Sequence, residues 1–96
     1  PMSDSSMKTV YKYPLQVVDR LVVTLPAGSR ILTIQAQDDV PCIWAVVNQD
    51  TDKLELRDFR IIGTGHPFPD EWPIYVGTFQ LMGGRLVFHV FTREPS

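Results

Sequence analysis

Two glycines bracket a threonine at Gly63-Thr64-Gly65, and His66 follows, inside the run "RIIGTGHPFPDEWP" from Arg60 to Pro73. Glycine reaches positive φ readily, so neighbouring backbone N–H groups can converge on an anion there. Thr64 adds a hydroxyl and His66 a donor that can carry charge. Arg60 and Arg57 stand just upstream. These groups are what a small phosphate nest needs. They do not form the dinucleotide fingerprint, because the third glycine and the helix behind it are missing. They do not form a Walker loop either, because no Gly-Lys-Ser/Thr occurs. The plainer use of the same residues is a strand exit with a bulge, followed by a proline-stiffened corner.

The rest of that run places Phe68 and Trp72 among three prolines, Pro67, Pro69 and Pro73. Large apolar groups in a loop either fold back on their own core or cover a partner. The prolines restrict the free loop and lower the entropy lost when it binds something. Aromatics beside glycines and a histidine can stack a base while N–H groups hold its phosphate. A loop packed on its own domain accounts for the same residues.

The two histidines, His66 and His89, are the other candidates. His89 alternates into the strand-like "VFHVF", where the common fate is a satisfied, half-buried side chain. A metal site needs at least three suitable ligands, and nothing in the spacing supplies them. A general acid–base pair of His66 and His89 would resemble some phosphodiester-cleaving enzymes. Those enzymes repeat a short histidine–hydroxyl motif, which Thr64 before His66 and Thr92 after His89 do not reproduce. The expectation is therefore no catalytic residue, no metal and no cofactor. The anion-binding set is Arg60, Gly63, Thr64, Gly65, His66, Phe68, Trp72 and His89. Cys42 is the lone cysteine, so no internal disulfide forms, and it opens an apolar segment as a buried thiol.

Composition narrows the partners. The 96 residues carry a net charge of −2, unlike a basic protein that neutralises phosphates along a long nucleic acid. No apolar run approaches the roughly 20 residues that span a bilayer. No signal peptide opens the chain, and a reducing host cytoplasm is the expected location. Pro1 before Met2 reads as a tag remnant. Residues 1–7 are expected to be disordered, ahead of a single domain over 8–96.

These groups must be positioned by strands. Turn signals recur every eight to twelve residues, between runs rich in Val, Ile, Thr, Tyr and Phe. The pattern predicts an all-β fold, a small antiparallel sandwich or barrel of about six to seven short strands. Strands are expected at Lys8–Tyr13, Val18–Leu25, Arg30–Gln37, Ile43–Asn48, Glu55–Ile62, Tyr75–Leu81 and Arg85–Phe91. A short helix over "DTDKLELRDF" is the one competing element. In "RILTIQAQ" strict alternation puts Leu32, Ile34 and Ala36 on one face and Ile31, Thr33, Gln35 and Gln37 on the other. "CIWAVV" and "RLVFHVF" are apolar on both faces, which predicts cover from a second sheet or another subunit, and hence a homo-oligomer.

The Leu-Pro-Ala-Gly turn before an alternating strand, the Gly-Thr-Gly-His loop and the closing Phe-His-Val-Phe together resemble a small, functionally uncharacterised phage and bacterial protein family. The likeness covers nearly the whole chain after Met7. It implies a phage or prophage source and a small β-fold, with no enzyme activity to carry over. Two functions are then expected as alternatives. One is a phage accessory protein that sequesters a small anionic, nucleotide-like ligand, such as an immune signalling nucleotide. The other is an interaction module that masks a host or phage protein surface as a homo-oligomer.

Overall fold

The computed structural model describes residues 7–68, 71–72 and 74–93. Seven strands follow one another: β1 Lys8–Pro14, β2 Arg20–Pro26, β3 Arg30–Gln37, β4 Val40–Asn48, β5 Leu54–Gly63, β6 Ile74–Leu81 and β7 Leu86–Thr92. They form a three-stranded sheet, β1-β4-β3, and a four-stranded sheet, β2-β5-β7-β6. Every pairing is antiparallel. The fold is a small all-β sandwich rather than a closed barrel. The segment weighed as a short helix, residues 50–59, is instead the β4–β5 connection followed by the first part of β5, as the alternation of Leu54 and Leu56 with Glu55 and Arg57 favours. The expected disorder of residues 1–7 lies outside the described residues, except at Met7. That residue is tied down: its N–H donates to Asp50 Oδ2 at 2.7 Å, and its carbonyl accepts from Gln49 at 2.9 Å.

The core lies between the sheets. Ile34, Ile43, Ala45 and Val47 from the small sheet meet Phe59, Ile61, Phe79, Leu81 and Val90 from the large one. Each large aliphatic or aromatic chain buried there stabilises the fold by roughly 1.5–3 kcal/mol relative to an exposed one. The alternation in β3 is broken. A bulge between Ile31 and Thr33 lets Ile31 pair with Ala45 and Ile34 with Ile43. Ile31, Ile34 and Ala36 therefore turn towards the core, while Leu32 is left exposed. An extra residue in one strand flips the facing of everything beyond it.

Two tight hairpins close one end. Asp38 and Asp39 both take positive φ, at 53° and 65°, in the two-residue turn between β3 and β4. Such turns match the twist of the flanking strands, and aspartate tolerates the left-handed region better than most residues. Asp39 Oδ1 also accepts from the Met82 N–H at 2.8 Å, joining this turn to the β6–β7 turn.

Topology explains the long loop. β5 and β6 both run antiparallel to β7, which lies between them, so they run parallel to each other. Two parallel strands cannot be joined by a tight turn, and the chain must travel back along the sheet. The described part of that connection lies on the outer side of β7, with Thr64 bound to Val87 and His89 and Phe68 resting on Phe91. This is why β7 is apolar on both faces: the core against the second sheet covers one, and the described part of the loop lies on the other.

The sheets come closest where β3 meets β6. A Cβ on Gly77 would sit 2.6 Å from Ile34 Cγ2, well inside contact distance. Gly77→Ala is expected to cost about 1–3 kcal/mol by overpacking. Denaturant unfolding should also show a smaller penalty for Gly77→Ala when Ile34→Ala is already present, because neighbouring sites couple.

Candidate functional site

The expected site residues fall on the outer face of the four-stranded sheet and on the loop that crosses it. The loop's backbone is largely engaged. The Thr64 N–H donates to the Val87 carbonyl at 3.2 Å, and the His66 N–H to the Gly63 carbonyl at 3.1 Å. Only Gly65 of the two glycines takes a positive φ, at 90°. Gly63 is the last residue of β5, and the His66 ring lies over it, 3.3 Å from where a Cβ would stand. The anion nest drawn from spacing is therefore a tight turn in which the Thr64 amide is held by β7 and the His66 amide by the turn itself. Glycine at position 63 makes room for the imidazole.

His89 is satisfied on both sides. Its Nε2 is 2.7 Å from Thr64 Oγ1 and its Nδ1 is 3.0 Å from Thr78 Oγ1. Tyr75 Oη lies 2.6 Å from Thr78 Oγ1, and Thr64 Oγ1 donates to the Val87 carbonyl at 3.4 Å. One direction satisfies every member: tyrosine donates to Thr78, Thr78 to Nδ1, Nε2–H to Thr64, and Thr64 to the carbonyl. The chain of hydroxyls ends on the Val87 carbonyl, a backbone acceptor. His66 stands over Gly63, outside this chain of hydroxyls. The structure unites His89 with Thr64 and Thr78 but forms no hydrogen bond between the two histidines.

Trp72 and Phe68 behave differently from each other. Trp72 is 3% exposed. The Arg93 guanidinium lies 4.5 Å from its ring centroid and that of Arg20 5.2 Å. Both guanidiniums also reach Asp58 Oδ2, Arg20 at 3.6 Å and Arg93 at 3.3 Å. Cation–π contacts of this kind contribute about 0.5–2 kcal/mol, rising with desolvation. The indole thus anchors the end of the loop and is not available to stack a ligand. Phe68 rests on Phe91 at 4.6 Å between centroids, and Tyr75 meets Phe91 edge-on at 5.6 Å. Yet Phe68 is 46% exposed and Tyr75 58%. On the same face Leu54 and Leu56 are 67% and 70% exposed, with Val22 also open. Arg60 sits opposite Arg20 on one side and Phe91 on the other. Its Nε is buried and has no hydrogen-bond partner among the described residues.

Two hollows flank this face. One, of about 370 Å³, is lined by Gly63, Thr64, His66, Arg85 and Leu86–Phe88. Arg85 reaches this hollow because the β6–β7 hairpin returns beside the end of β5. The other, of about 460 Å³, lies between β3 and β6 and includes Arg30 and Arg57. Arg57 is already committed there: it donates to the Ser29 carbonyl at 2.6 Å and pairs with Glu55. The Gly28 N–H and then that guanidinium hold the Glu55 carboxyl below its ordinary pKa. Among the described residues no group of three or more His, Cys, Asp and Glu side chains could hold a metal ion. No described helix is long and apolar enough to cross a membrane. Cys42 is buried and unpaired.

The loop's two aromatics should separate cleanly in thermal melts. Trp72→Ala is expected to cost about 3–5 kcal/mol, as large buried aromatics do. Phe68→Ala should stay within about 1 kcal/mol, being half exposed. At about 4–8 °C per kcal/mol for a domain of this size, the melting temperatures will differ visibly.

No curated protein and no solved structure matches the chain. A family model described as a domain of unknown function, DUF7352, matches residues 7–96. With the match spanning nearly every residue, the chain belongs to that family.

Proposed function

We propose that the protein is a non-catalytic binding module. It holds a partner protein on the outer face of its four-stranded sheet, acting stoichiometrically as a phage accessory protein in the host cytoplasm. One observation carries the reading: this small sheet leaves Leu54, Leu56, Val22, Phe68 and Tyr75 open on a single face. Exposing so much apolar side chain is unfavourable in water and is typical of surfaces that are covered in use. The residue types also fit. Tyrosine, phenylalanine and arginine dominate the well-packed centres of interfaces. Here Phe68, Tyr75 and Phe91 stand beside Arg20, Arg60 and Arg93. On the same face the buried Trp72 packs against Arg20 and Arg93. The partner that fits is a protein surface with an apolar centre.

Phe68→Ala/Tyr75→Ala tests it. Immobilised wild-type protein should retain a discrete host partner. Against that partner made recombinantly, the double variant should bind at least about 30-fold more weakly, the loss expected of roughly 2 kcal/mol at a hot spot. Its melting temperature should stay within a few degrees of wild type. Undiminished binding by a folded double variant would remove this face from the account.

A second reading keeps the small anionic, nucleotide-like ligand, sequestered without turnover, as with an immune signalling nucleotide. The hollow lined by Thr64, His66 and Arg85 favours it, through side chains rather than through the engaged amides. Titration calorimetry with cyclic nucleotides and ADP-ribose should then give heat that Arg85→Ala weakens at least about tenfold, or 1.4 kcal/mol. Silence across that panel would remove it.

A further inference from the structure

The four edge strands are not equally protected. An edge strand presents unpaired N–H and C=O groups, and proteins guard such edges with lysine, proline, bulges or cover. β3 and β6 lie against each other at the closed side of the sandwich, and each carries a bulge. The free side of β1 can be read from its hydrogen bonds. Leu15 donates to Pro41, and Gln49 to Met7, so its odd-numbered residues face β4. Its outward residues are Lys8, Val10, Lys12 and Pro14, two lysines and a proline.

β2 differs. The Ile61 N–H donates to Asp19, and the Ala27 N–H to Lys53. Odd-numbered residues therefore face β5, and Arg20, Val22, Thr24 and Pro26 turn their backbone groups outward. Between the end residues Arg20 and Pro26, the strand is Leu-Val-Val-Thr-Leu, with no charge, proline or bulge. A second observation marks the same edge. The small sheet has one strand fewer than the large one and leaves a hollow of about 370 Å³ lined by Tyr13, Leu15, Leu21 and Val23. Leu21 and Val23 point towards the core but are only partly buried.

We infer that β2 pairs antiparallel with the β2 of a second copy, about a two-fold axis at Val23, giving one continuous sheet through both subunits. In that register Val22 exchanges both hydrogen bonds with the partner subunit's Thr24, because these are the outward-facing residues. Arg20 lies opposite the partner subunit's Pro26, so no like charges meet, and that proline's carbonyl accepts from the Arg20 N–H. Leu21 lies opposite the partner subunit's Leu25. An axis perpendicular to the sheet keeps inner faces inward, so the partner's strand closes the open side of the hollow. The same pairing with β1 would set lysines along both edges. A two-fold contact needs a self-complementary patch, which this strand provides.

Sedimentation velocity and light scattering on the full chain test the pairing. The wild type should approach twice its 10.9 kDa mass at micromolar to millimolar concentration. Thr24→Pro removes an outward N–H that the fold does not use. Val22→Lys/Thr24→Lys sets lysine opposite lysine. Both variants should be monomeric, with melting curves that remain cooperative. Val23→Cys should form a disulfide-linked dimer on mild oxidation, because Val23 faces its own copy at a closely spaced pair. A monomeric wild type overturns the inference. So does a dimer that persists in the lysine variant, or one that fails to crosslink through position 23. None of these results depends on the aromatic face, since Phe68 and Tyr75 lie beyond β5 from this edge.

Discussion

A three-stranded sheet packed on a four-stranded one cannot cover it completely, and the rest of the molecule is arranged around that mismatch. On the closed side, β3 and β6 approach so nearly that position 77 admits no side chain. Ile34 fills the space beside it. On the open side, Leu21 and Val23 of β2 point inward with too little above them. Apolar surface left in water favours whatever covers it. The unguarded edge of β2 and the hollow beside it are two views of the same shortage.

The outer face of the large sheet meets a different demand. With β7 lodged between the parallel strands β5 and β6, the connection has to cross the sheet, and its described residues form no helix. A loop on a sheet needs anchors, since its own backbone makes few ladder bonds. Trp72 supplies one through Arg20, Arg93 and Asp58, and Phe68 supplies another on Phe91. The three prolines limit the conformations that the crossing segment gives up on folding. The loop therefore both seals β7 and builds a stiff aromatic surface, and the proposed binding face follows from the connection that the topology requires.

Four polar side chains on this face are tied to one another. Tyr75, Thr78, His89 and Thr64 form a closed line of hydrogen bonds. Unsatisfied polar atoms at a half-buried surface would oppose the burial that an interface brings. With its hydroxyls already paired, the face can be covered at little cost. The exposed phenyl of Phe68 and the exposed side of the Tyr75 ring remain as contact area.

Much of the framework could be read from residue order. Period-two alternation, Pro-Ala-Gly and Asp-Asp turns and the Gly-Gly corner mark all seven strands to within a few residues, because backbone and turn preferences act locally. The sequence also singled out the Gly63–Pro73 loop as the unusual segment, while His89, placed from sequence in the anion-binding set, is held by Thr64 and Thr78. It could not show that Trp72 is sealed, that Gly63 serves the His66 ring, or that Arg85 joins Thr64 across a hairpin. Nor could it show that Leu32 is pushed outward by a bulge. Each of these depends on which strands become neighbours, and strand order is decided by long-range burial that no local pattern encodes. A run such as "RLVFHVF" specifies only that both faces are covered; packing in three dimensions determined that one cover is the core and the other is the chain's own loop.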